Sequence, residues 1–155
     1  MKSFEQSFEV NCSIEEVWNF YTNIRHLEIV TPPNLKLKVI TTSDKQIVEG
    51  LRMTISARIA LYNSKWHSII SLVDISKYEY IDEMVKGPFK KWKHVHIFSK
   101  IEKNLTVVTD KIEFELPFFF FGKLGEGYVE KRLKKIFEYR KIQTVNNLSN
   151  KSADE

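Results

Sequence analysis

The chain has 155 residues, enough for one domain with a proper core and too few for two comfortable ones. Its 24 basic and 20 acidic residues are interspersed, so the net charge of +4 argues against a nucleic-acid-binding surface, which needs basic groups clustered on one element. Cys12 is the lone cysteine, so no intrachain disulfide framework is available and a reducing, cytoplasmic setting is expected.

The N-terminal MKSFEQSFEV lacks an apolar leader core, and no run approaches the ~20 apolar residues of a spanning helix, so no stable membrane insertion is expected. The chain carries 11 Phe, 6 Tyr and 3 Trp, residues that fill large cores and line apolar ligand sites.

In chain order, Phe4, Phe8 and Val10 alternate with polar neighbours as a first strand. Ser13 followed by Glu16 is a capping-box pattern, and Ile14, Val17, Trp18 and Tyr21 then recur at helical spacing. A second helical turn is predicted over Asn23 to Ile29, stopped by Thr31-Pro32-Pro33. From Leu35 the period changes to two. Leu35, Leu37 and Val39 form one face, followed by Met53, Ile55, Ala57 and Ile59, by Trp66, Ser68, Ile70 and Leu72, and by Tyr78, Tyr80, Asp82 and Met84. GPFKKWKHVHIF, residues 87–98, places Trp92, His94, His96 and Phe98 on a common face, and Val108, Asp110, Ile112, Phe114 and Leu116 complete the set. Connections this short leave no room for crossover helices and predict an antiparallel meander. A long amphipathic helix is predicted over Gly125 to Val145, with Tyr128, Val129, Leu133, Ile136, Phe137 and Arg140 on one side. Residues 1–146 then form one domain, and residues 147–155 a polar, disordered tail.

The resulting fold class is α+β: a seven-stranded antiparallel sheet wrapped around a C-terminal helix, with two short helices after the first strand. Glu16-Val17-Trp18, Leu27, Thr31-Pro32-Pro33, Gly87-Pro88-Phe89, Trp92, His94, His96, Thr109-Asp110, Glu113 and Leu116-Pro117 carry a resemblance, from about Phe4 to Arg140, to the helix-grip superfamily. That superfamily (SRPBCC) joins START lipid-transfer domains, the birch-pollen allergen and polyketide cyclase-like proteins, here in a bacterial and archaeal ligand-binding subgroup. Phe118 to Phe121 depart from its pattern. The resemblance implies an internal cavity for a hydrophobic small molecule, such as a lipid, quinone or polyketide.

Candidate ligand-binding residues are Trp18, Ala57, Trp66, Tyr80, Asp82, Trp92, His94, His96, Asp110, Phe114 and Phe137. His94, His96 and Asp110 are also the candidate acid-base groups of a cofactor-free cyclase or dehydratase, the alternative to a binding protein. A buried, mutually satisfied His/Asp network that sets strand register is a further reading. His-x-His with an inward carboxylate can also hold zinc or iron, but without a second dense ligand cluster no metal or other cofactor is expected. The sequence has no glycine-rich phosphate loop, Cys-x-x-Cys, Gly-x-Ser-x-Gly or His-Glu-x-x-His. The four-phenylalanine run reads as packing beneath the start of the long helix, as a lip at the pocket entrance, or as a weak contact with a membrane or a second subunit. A monomer or weak homodimer is expected.

Overall fold

The computed structural model describes residues 1–59, 62–117 and 122–149. Strand β1 (Lys2–Val10) leads into helices α1 (Ile14–Thr22) and α2 (His26–Ile29) and a 3-10 turn, Pro33–Leu35. Strands β2 (Lys38–Thr42), β3 (Arg52–Ile59), β4 (Tyr62–Asp74), β5 (Glu79–Lys86), β6 (Lys91–Glu102) and β7 (Leu105–Glu115) follow, then helix α3 (Gly122–Ser149). All neighbouring strands are antiparallel, in the order β1-β7-β6-β5-β4-β3-β2. This is the expected seven-stranded sheet with its long C-terminal helix. Each strand from β2 to β7 lies beside its sequence neighbour, and β1 pairs with the last strand.

The capping box forms as the sequence predicts. The Ser13 hydroxyl accepts from the Glu16 amide, and the Glu16 carboxylate accepts from the Ser13 amide at 3.1 Å. The second helix is shorter than expected, because Asn23 is extended and bridges Gln46 before the helical turn begins at His26. Leu35 and Leu37 precede β2 instead of forming it. Pro33 starts the 3-10 turn, and Lys36, at φ 46°, turns the chain out of it.

Alternation holds through β6 and β7. His94, His96 and Phe98 are buried, as are Thr106, Val108, Asp110, Ile112 and Phe114. It fails on β4, where the register shifts between Ile70 and Leu72. The extra residue reverses the facing that follows, leaving Leu72 exposed while Val73 packs against the core.

Helix α3 continues past the expected Val145 end. Leu133, Phe137, Arg140, Thr144 and Leu148 are buried at helical spacing, so residues 147–149 belong to the helix and not to the polar tail. Tyr128 is correspondingly 52% exposed, not on the buried stripe. The run Phe118 to Phe121 and the rest of the tail lie outside the described residues.

Two apolar clusters form the core. One gathers Val17, Phe20 and Tyr21 of α1 with Phe98, Val108 and Tyr80, and the other joins Phe4, Ile112 and Phe114 to Leu133 and Phe137 of α3. Along β6 and β7, His94, His96 and Asp110 fall between the two. No helix among the described residues is long and apolar enough to cross a membrane.

Candidate functional site

The antiparallel register builds the polar cluster. His94 stands opposite Asp82 on β5, while His96 stands opposite Tyr80 on β5 and Asp110 on β7. The period of two turns all five side chains to one face of the sheet. Helix α3 supplies Arg140, which follows Leu133 and Phe137 on the same stripe and reaches the cluster from above.

Asp110 is the hub. Its Oδ1 accepts from His94 Nε2 at 2.7 Å and from Arg140 at 3.0 Å. His96 Nδ1 is also near, at 3.2 Å, but it is poorly directed and makes no hydrogen bond. Asp110 Oδ2 is buried without a hydrogen-bond partner among the described residues. Asp82 Oδ2 lies 3.3 Å from His96 Nε2 and 3.6 Å from His94 Nδ1, on a side chain 22% exposed. The two imidazoles overlap with centroids 3.7 Å apart, and the Tyr80 ring stacks on His96 at 4.1 Å.

Burial pushes the Asp110 carboxyl up, but the Arg140 guanidinium and the two histidines more than offset it and hold the group well below the usual carboxylate range. Asp82 is likewise lowered, with burial opposed by the His96 hydrogen bond and the neighbouring imidazoles. Burial and the positive potential of His96 depress His94 to about 4, against the opposing pull of Asp110. Burial works against the Arg140 cation, yet Asp110 outweighs it and leaves its pKa raised. Tyr21 and Tyr80 are raised chiefly by burial, so both phenols stay protonated. Tyr21 shares a 2.7 Å hydrogen bond with Thr144, tying α1 to α3 beside the cluster.

Asp82, His94, His96, Tyr80 and Arg140 line a cavity of about 240 Å³ between α3, the α1–α2 segment and the inner face of β3 to β6. Among the residues expected there, Trp66, Tyr80, Asp82, Trp92, His94, His96 and Phe137 line it. Asp110 sits behind the histidines, not at the wall. Trp18 is elsewhere, edge-on to Tyr78, Tyr80 and Phe98 in the first core cluster. Phe114 belongs to the second cluster, and Ala57 is buried without reaching the cavity. The indole Nε1 of Trp66 is buried with no hydrogen-bond partner among the described residues.

Several wall residues escaped the sequence reading. Ile24, Leu27 and Val30 come from the irregular segment around α2, which has no period to betray its facing. Arg140 did leave a signal, since a guanidinium on an otherwise apolar helical stripe implies a buried partner. Asp82, His94 and His96 are also the group, among the described residues, whose ligating atoms converge closely enough for a metal ion.

No family model matches the sequence, and no curated protein does either. Solved structures do resemble it. A START superfamily protein from Mycobacterium smegmatis superposes with TM-score 0.72 at 12% identity, covering 96% of this chain and 97% of that one. Ginseng major latex-like protein 151 from Panax ginseng gives TM-score 0.70 at 12% identity, over 95% of this chain and 97% of that one. Norcoclaurine synthase from Thalictrum flavum, in complex with dopamine and hydroxybenzaldehyde, gives TM-score 0.67 at 16% identity, over 91% and 85%. With the sheet order and the long C-terminal helix, these likenesses identify the chain as having the helix-grip fold of the START and major latex-like proteins.

Proposed function

We propose that the protein binds a hydrophobic small molecule, of lipid, quinone or polyketide type, in the cavity between sheet and C-terminal helix. The observation that carries this reading is a predominantly apolar wall ending in a few convergent polar groups, the usual make-up of a small-molecule site. Apolar side chains supply affinity through burial at ~25 cal/mol per Å². The polar end supplies orientation. The carboxylate of Asp82, which lines the cavity and is 22% exposed, accepts from a ligand hydroxyl. A molecule with an apolar body and oxygen substituents matches this wall better than a plain hydrocarbon. The complex of norcoclaurine synthase with dopamine and hydroxybenzaldehyde gives a precedent for small aromatic molecules on this fold.

The test is stoichiometric binding of an environment-sensitive apolar dye, displaced by quinones or fatty acids, together with native mass spectrometry of protein from its own host. Leu27→Trp, at the wall but only partly buried, is expected to abolish dye binding while the protein stays folded. Dye binding that is absent, or indifferent to this substitution, sinks the reading.

A cyclase or dehydratase is the second reading, favoured by the 2.7 Å His94–Asp110 pair, which orients one imidazole at the cavity wall. It predicts that His94→Gln lowers turnover of a candidate substrate by about 100-fold or more at nearly unchanged affinity. A binding protein shows altered affinity and no turnover in the wild type.

A further inference from the structure

Asp82, His94 and His96 each bring one ligating atom to the cavity wall, all within 4.8 Å of one another. Asp82 Oδ2 is the common neighbour, 3.3 Å from His96 Nε2 and 3.6 Å from His94 Nδ1. Two atoms bound to one zinc ion at about 2.0–2.1 Å and a tetrahedral angle stand about 3.3–3.4 Å apart, so the His96–Asp82 separation matches and the His94–Asp82 one is slightly longer.

Hydrogen bonding within the protein accounts for the His96–Asp82 contact and leaves the His94–Asp82 one, at 3.6 Å, without an explanation. An ionised carboxylate only accepts, so a neutral His94 bonded to Asp110 carries its proton on Nε2. Its Nδ1 then turns a lone pair toward Asp82, which is a second acceptor, on a ring only 6% exposed. A single cation between them satisfies both the lone pair and the carboxylate oxygen.

We propose that Asp82, His94 and His96 form a mononuclear site for a divalent transition-metal ion of the zinc type. Two imidazoles and one carboxylate suit zinc, cobalt or ferrous iron and not calcium or magnesium, which take oxygen ligands. The supporting shell is already built: His94 donates to Asp110, and Arg140 holds Asp110, which fixes the tautomer and angle of the ligating ring. All three ligands line the cavity, so the remaining coordination position opens to it, as in zinc sites that keep a place for water or a substrate oxygen. The site is complete without an apolar occupant and stands independently of the ligand reading.

Chelator-treated full-length protein titrated with zinc sulfate in a calorimeter is expected to take up one ion per chain with micromolar or tighter affinity. Cobalt in its place is expected to give the strong visible absorption of a four-coordinate ion. Asp82→Asn and His96→Gln are expected to weaken zinc by 100-fold or more, and His67→Gln, on the exposed face, to change nothing. Asp110→Asn, behind the ligands, is expected to weaken it by about 10–100-fold. No saturable uptake by the wild type, or uptake that survives Asp82→Asn, overturns the site. Should the variants fail to fold, the cobalt spectrum of the unmutated protein decides, and weak six-coordinate bands overturn it. Dye binding in the same chelated sample keeps the readings apart: dye without metal uptake removes the metal site alone, and metal uptake without dye removes the apolar ligand alone.

Discussion

On β7 every second residue from Thr106 to Phe114 is buried, whereas on β4 only Ser68 and Ile70 reach that state. Both strands alternate in sequence; what differs is the cover above them. Helix α3 packs against β1, and α1 against β6 and β7, so that half of the sheet meets side chains and becomes core. The inner faces of β3, β4 and β5 meet the α2 segment and the near edge of α3 across a gap, and become cavity wall. The same alternation therefore yields packing on one half and a binding surface on the other, and the polar cluster marks the seam between them.

The sharpest way to break this comparison is to cut the seam. Arg140→Met leaves the Asp110 carboxylate buried without its cation, and an expected loss of about 3–5 kcal/mol should appear in urea unfolding. Adding Asp110→Asn should restore part of it. Equal losses in single and double variants would show that the pair is not coupled.

Next in size is truncation on either side of the seam. Phe98→Ala, in the packed half, is expected to cost about 3–5 kcal/mol, because nothing collapses into the space. Ile55→Ala on the cavity wall is expected to cost about 1 kcal/mol, since that side chain already borders open volume. Similar losses would erase the distinction between core and wall.

Acid should act through the cluster as well. His94 and Asp110 both have folded-state pKa values below their unfolded ones, so each contributes stability at neutral pH that is lost as pH falls. In chelated protein, the His94 part disappears between pH about 6.5 and about 4 and amounts to about 3 kcal/mol; the Asp110 part follows at lower pH. Urea midpoints measured from pH 8 to 4 should fall, and His94→Gln should flatten the upper part of that curve. A midpoint unchanged down to pH 4 would contradict the burial of a neutral His94.

The smallest expected effect is at the α1–α3 tie. Tyr21→Phe removes one buried hydrogen bond to Thr144 and should cost about 1 kcal/mol. A much larger loss would mean that α1 depends on this contact more than on its apolar stripe.

Much of the frame was legible along the chain, because strand alternation, the capping box at Ser13 and the stripe on α3 are local patterns with local causes. The inward facing of His94, His96 and Asp110 follows from the same period. Legibility ended where one residue changes the count. The shift after Ile70 sent Leu72 outward, and the left-handed Lys36 turned Leu37 out of β2. It ended also at Trp18, Ala57 and Phe114, which point inward as expected but lie under cover and away from the gap.

By itself the sequence determined which side of each strand turns inward, since side-chain direction is set by backbone period alone. Tertiary structure decided which inward residues are core and which are wall, because that depends on where α3 and the α2 segment come to rest over the sheet. It also decided the partners within the cluster. Asp82, His94, Asp110 and Arg140 come from four separate elements, and only the register of β5, β6 and β7 with the docking of α3 brings their atoms within 4 Å contacts of one another.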